Sequence, residues 1–153
     1  MYRYSISFLL TLFVITNVSL SQTSPSTGLV RETQDSNFQQ FINRVNSAPS
    51  QDRSAIVDSF MLAVPAFPFI EDPVAHFIYR GNVTSVNVPG DANGWSSSGY
   101  PMTKLSTTDF WYTSQVFESD ARLDYKFILN GSSWILDPRN PHTLSVGFGP
   151  NSE

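Results

Sequence analysis

No cysteine occurs among the 153 residues. That excludes any disulfide and any lipid-modified cysteine at a leader cleavage point. Charge is scarce as well, at 14% of residues with a net charge of −4. No basic cluster exists, so nucleic acid is excluded as a partner on electrostatic grounds. Long apolar runs are missing too. Ile6 to Val18 is broken by Ser7, Thr11, Thr16 and Asn17, and it falls short of the ~20 residues that span a bilayer. No Gly-x-Ser-x-Gly motif, calcium-loop pattern or internal repeat is present. The chain therefore reads as having no cofactor and no metal site.

Aromatic residues, by contrast, make up 14% of the chain, alongside ten prolines and eight glycines. That balance suggests one small β-rich domain with many turns rather than a helical bundle. The N-terminus reads as an export signal: Arg3 is the positive region, the broken apolar run follows, and Ser19-Leu20-Ser21 offers small residues to a signal peptidase. Cleavage is expected after Ser21, giving a secreted or periplasmic protein with no membrane span after cleavage. Residues 22–35 are rich in Ser, Thr, Pro and Gly and read as a flexible leader. Asn82-Val83-Thr84 and Asn130-Gly131-Ser132 match the glycosylation triplet, a pattern that chance produces often.

Residues 36–64 predict two short helices. Ser36 and Gln39 fit a reciprocal capping box, and Phe38, Phe41, Ile42 and Val45 form an apolar stripe. Ser50 is placed to cap the second helix, whose stripe is Ile56, Val57, Phe60, Met61 and Val64, with Pro65 as the stop. Such a pair is too small to fold alone and needs a partner surface. Residues 65–73 read as an extended, proline-punctuated connector. From Val74 the period changes to two. Strands are expected at Val74 to Arg80, Thr84 to Val88, Phe110 to Phe117, Leu123 to Leu129 and Ser133 to Leu136. Trp111 alternates with Phe110 and Tyr112, so one face of that strand meets the core and the other meets something else, most economically the helices.

Several motifs, taken in order, resemble an early-set, immunoglobulin-like domain of the family-48 carbohydrate-binding module type. They are Gly90-Asp91-Ala92-Asn93-Gly94-Trp95, Pro101-Met102, Phe110-Trp111, Tyr125 to Gly131, and Trp134-Ile135-Leu136-Asp137-Pro138. A closer resemblance is carried by Asp120 to Phe127, Trp134 to Pro141 and Gly147 to Glu153. These are similar to the N-terminal region of bacterial enterochelin-esterase-like proteins, in which the module precedes an α/β-hydrolase domain. The resemblance implies a mainly β, antiparallel immunoglobulin-like sandwich of seven to eight strands over residues 74–144, preceded by the helical pair. It also implies that residues 145–153 are a linker toward a hydrolase domain, so that the chain is a fragment or a gene cut short. The esterase domain in cis is the implied partner, and a polysaccharide is a second one. Ester hydrolysis would belong to the hydrolase domain, leaving this chain a non-catalytic accessory module. The alternative is an autonomous module that binds an α-glucan or plant polysaccharide.

No catalytic residue is expected here. His76 reads as a packed strand residue and His142 as a solvated loop residue. Asp91 and Asp137 read as structural carboxylates that accept nearby amides. The resemblance to glycogen-binding modules implies sugar contacts at Trp95, Lys126 and Trp134, with Asn151 matching a fourth position by count. The segment before Asn151 departs from the pattern, with Gly147 and Gly149 where the family has other residues. Two serines, Ser132 and Ser133, separate Gly131 from Trp134 where the family has one residue. A two-residue Asn130-Gly131 turn pairs Leu129 with Ser132 and points Trp134 away from Lys126. A three-residue loop pairs Ile128 with Ser132 and sets Trp134 opposite Lys126. A packed Trp134, in the core or against a hydrolase, is the other reading of that residue.

Overall fold

The computed structural model describes residues 36–153, apart from 65 and 148. The expected signal, its cleavage point and residues 22–35 lie outside the described residues, as does the expected stop at Pro65. Helices α1 (Asn37–Ser47) and α2 (Arg53–Ala63) come first. Nine strands follow among the described residues: β1 Phe69–Glu71, β2 Val74–Arg80, β3 Val86–Asn87, β4 Thr103–Lys104, β5 Phe110–Val116, β6 Phe127–Leu129, β7 Ser133–Ile135, β8 Thr143–Val146 and β9 Gly149–Ser152. One sheet has the order β1-β2-β5-β4, a second β3-β6-β7, and β8 and β9 pair with each other. The paired strands are antiparallel throughout.

Two apolar clusters build three layers. Ala75, Phe77 and Trp111 of the first sheet meet Val86 and Phe127 of the second, filling the sandwich. Alternation sends Ile78 and Phe110 to the opposite face of the first sheet, where the helices supply Phe38, Phe41, Ile42, Val45, Val57 and Met61. Trp111 thus faces the sandwich interior while Phe110 and Tyr112 face the helices. Burying each large side chain contributes about 1.5–3 kcal/mol, which is what holds the helical pair in place. Arg80 adds a polar tie, reaching Asp58 of α2 at 2.6 Å and Asp109 at 2.7 Å.

Several local expectations change once distant partners are seen. Ser36 does cap α1, its hydroxyl accepting from the Gln39 amide at 3.1 Å. Gln39 does not reach back; its side chain donates forward to Asn43 at 2.9 Å. Glu71 takes the helix start instead, accepting from the amides of Asn37 (2.7 Å) and Phe38 (3.2 Å). Ser50 does not cap α2. A tight turn closed by Asp52 N–H on the Pro49 carbonyl at 2.9 Å consumes it, and α2 starts at Arg53 with no side-chain cap. Arg53 in return donates to the carbonyls of Ala48 and Asn46 at the end of α1. The expected connector, 65–73, contributes edge strand β1.

The expected linker, 145–153, is largely strand. β9 pairs with β8, and Ser152 exchanges backbone bonds with Tyr125 at 2.9 and 3.1 Å. Ser152 is fully buried and its hydroxyl accepts from the Asp137 amide at 2.9 Å. Tyr125 donates its phenol proton to Asp137 at 2.8 Å, and Asn140 donates to that phenol and to the Glu153 carbonyl. Burial raises the Asp137 carboxyl above its ordinary range, against the bonds from Arg139, Tyr125 and Asn140 that lower it. Burial likewise keeps the Tyr125 phenol protonated, and the Asp137 charge adds to that.

Candidate functional site

The hairpin between β6 and β7 decides where Trp134 goes. Asn130 (φ 53°) and Gly131 (φ 76°) are both left-handed, as a type I′ turn requires, and Ser132 N–H closes the turn on Leu129 O at 3.2 Å. Ser132 then stands outside the ladder, and Leu129 pairs with Ser133. Neither expected pairing forms, because the chain makes the Asn-Gly turn and adds one loop residue to it. Asn130 fixes this geometry from outside: its side-chain oxygen accepts from the Thr84 amide at 2.8 Å and the Thr84 hydroxyl at 2.9 Å.

Trp134 consequently pairs with Ile128. Tyr125, Phe127, Leu129 and Ile135 pack into the sandwich. Alternation puts Lys126, Ile128 and Trp134 on the outer face of the same sheet. Trp134 is 47% exposed there. Lys126 is half-buried, and its ammonium makes no hydrogen bond among the described residues.

Trp95 hangs from the end of the same ladder. Lys126 N–H bonds Pro89 O at 3.0 Å, and Gly90 bridges to Tyr125. Asp91 to Asn93 then make a single 3-10 turn ended by left-handed Gly94. Asn93 folds this turn by itself, accepting from Gly90 N–H at 3.1 Å and donating to Val88 O at 2.8 Å. A side chain at position 90 would meet the Asp124 carbonyl at 2.5 Å, so glycine is required there for close approach. Trp95 is itself left-handed at φ 60°. Its indole donates to Asp91 Oδ1 at 2.9 Å, and the other Asp91 oxygen accepts from Asp124 N–H at 3.0 Å. Asp91 is structural, as its position suggested, but its backbone partner is distant rather than nearby. The half-buried indole is thereby held in one orientation.

Asn151 is placed differently. It is 6% exposed on β9, and its amide nitrogen donates to Asp124 Oδ2 at 3.0 Å. That amide orients Asp124, which in turn meets Asp91 below Trp95. Trp134 and Lys126 thus share a face, the Trp95 turn joins the same end of the ladder, and Asn151 braces the turn from the interior.

One alignment was not legible in the sequence. His76 Nδ1 lies 2.7 Å from Ser114 Oγ, and its Nε2 lies 3.1 Å from Glu71 Oε2. His76 and Ser114 are cross-strand partners, a relation that only register reveals. A serine, a base and an acid in line are the parts of a hydrolytic relay. Here the imidazole is 4% exposed and stacked on Phe38 with centroids 4.1 Å apart. Burial lowers the His76 pKa, outweighing the raising effect of Glu71. Burial tends to raise the Glu71 carboxyl, but the bonds from Phe38, Ser36 and Asn37 and the nearby His76 bring it below its ordinary value. The relay ties α1, β1, β2 and β5 together, with its imidazole stacked on Phe38 and Phe69 and its serine exposed. His142, as expected, is exposed.

No protein-family model matches the chain, and no curated protein matches it. Among the solved structures it is similar to are esterases. One is the enterobactin esterase FES from Shigella flexneri in the presence of enterobactin, at 18% identity and a TM-score of 0.49, over 62% of this chain and 34% of that one. The same enzyme in the presence of 2,3-di-hydroxy-N-benzoyl-serine gives 18% identity and a TM-score of 0.47, over 62% and 33% of the two chains. Enterochelin esterase from Shigella flexneri gives 18% and 0.42, over 54% and 30%. The chain spans about a third of the length of these enzymes.

Proposed function

We propose that this chain is a non-catalytic accessory module of an exported ester hydrolase. In this reading residues 1–21 are a signal peptide, residues 22–35 a leader, and residues 36–153 a helical pair on an early-set immunoglobulin-like sandwich. The module docks on an α/β-hydrolase domain and shapes its entrance. The motif order from Gly90 to Pro138 and the sandwich itself support the module type. Ser114 is exposed, but the burial of its histidine partner supports the absence of catalysis. An activated serine needs a base that can meet substrate and a cavity around the reacting carbonyl. His76 instead lies beneath Phe38. Incubation with p-nitrophenyl acetate tests this directly, with release expected at the buffer rate. Clear turnover that disappears in Ser114→Ala overturns the reading.

The second reading is an autonomous polysaccharide-binding module, favoured by the shared face of Trp134 and Lys126. An exposed indole stacks on the apolar face of a sugar ring while an ammonium bonds its hydroxyls. Affinity electrophoresis on starch, glycogen and xylan separates the two readings. Retardation lost in Trp134→Ala and Lys126→Ala supports sugar binding, and free migration on all three polymers removes it.

A further inference from the structure

A cleft of about 510 Å³ opens between the two sheets, away from the Trp134 face. Its volume falls in the range of small-molecule sites, roughly 300–1,000 Å³. Among the rings that line it are Phe77, Tyr100, Phe117 and Tyr125. They meet edge to face. Phe77 lies 4.9 Å from Tyr125 at 73°, 6.3 Å from Phe117 at 86°, and Tyr100 lies 6.5 Å from Phe117 at 67°. Phe77 and Tyr125 are buried in the floor, while Tyr100 and Phe117 are half-exposed at the mouth.

The polar rim is acidic. Asp72, Glu118 and Asp124 line the cleft with Glu153. Arg122, also on the rim, is clasped by the Glu153 carboxylate through two guanidinium nitrogens, so its charge is already answered. Asp72 gives one oxygen to the Ser119 hydroxyl at 3.1 Å, and Asp124 gives one to Asn151 at 3.0 Å. Each keeps a second acceptor oxygen. The Glu118 carboxylate makes no hydrogen bond among the described residues. Ring faces carry negative partial charge and attract cations, most strongly where water is excluded. Carboxylates at the same mouth add to that attraction and repel anions.

We propose that this cleft is a binding site for an organic cation, an ammonium group on a compact apolar body. The apolar body rests against Phe77 and Phe117, and the charge sits at the mouth beside Tyr100, Phe117 and Glu118. Neither the esterase nor the sugar reading uses these residues. The test is an amide NMR titration of the full chain with choline, run beside its uncharged isostere 3,3-dimethylbutanol. Saturable shifts at Tyr100 and along 117–125 are expected, with the neutral compound about ten-fold weaker. Glu118→Gln changes an exposed side chain, so folding is retained, and it should weaken choline by about three- to ten-fold. Phe117→Leu keeps an apolar side chain and removes the ring face, with the same sign. Absence of saturation, equal affinity for the neutral isostere, unchanged affinity in Glu118→Gln, or shifts centred on Trp134 each overturn the proposal.

Discussion

Glu71 offers the sharpest test of how the layers are joined. Its carboxylate accepts from two amides at the start of α1, at 2.7 and 3.2 Å, and from His76 at 3.1 Å. The side chain is only 16% exposed. Hydrogen bonds to a charged group are worth about 1.5–3 kcal/mol each, and a negative charge at a helix start adds about 0.3–1 kcal/mol. Glu71→Ala therefore leaves two amides and an imidazole nitrogen without their partner, and should cost about 3–4 kcal/mol of folding free energy. Glu71→Gln keeps one acceptor and should cost about 1–2 kcal/mol.

Acid has a defined sign here. His76 binds protons less readily folded than unfolded, so its contribution is complete above the ordinary value of 6.5 and fades as pH falls below it. Glu71 is also lowered, so its contribution is present above the ordinary 4.5 and fades as pH drops through the folded value. Urea melts from neutral pH downward should show wild-type stability declining more steeply below 6.5 than in His76→Phe. A Glu71→Ala loss under about 1 kcal/mol, or wild-type stability that rises on acidification, refutes the reasoning.

Three further outcomes are expected. Phe127→Ala empties a fully buried site between the sheets and should lower stability by about 3–5 kcal/mol, read from the denaturation midpoint. Asp91→Ala removes the acceptor for the Trp95 indole and the Asp124 amide; it should cost about 1–3 kcal/mol and shift tryptophan emission to longer wavelength. Deleting Ser132 leaves Leu129 paired with Ser133 across a two-residue Asn-Gly turn, so nuclear Overhauser contacts between Trp134 and Ile128 should persist, and their loss refutes the register.

What could be read in advance was whatever depends on neighbours in the chain. Val74 to Arg80 is a strand over the expected span because alternation and the Gly81 break are both local. The helical stripes are buried as their spacing implied, and the β-sandwich with its helical pair is present. The rest turns on partners far away in sequence. Gln39 and Ser50 look like cap residues, but Glu71 and a proline turn take their places. Asn151 reads by count as a sugar contact, while its bond to Asp124 can be known only after β9 is seen to join the domain. The hairpin shows the limit most plainly: both spacings weighed for it fit the letters, yet a third forms, with Asn130 held in it by Thr84, 46 positions away.

Tyr125 has a consequence for how the polypeptide is made. It pairs with Gly90 before it and Ser152 after it, and its phenol collects Asp137 and Asn140. The interior it anchors stays incomplete until residue 152 is available. Domains fold as units during synthesis, and non-local pairing must await its latest partner. The helices and first sheet can collect early on the growing chain. The second sheet can lock only after the closing hairpin has left the ribosome, so a chain released before Gly149 is added should leave Phe127 and Tyr125 open to chaperones.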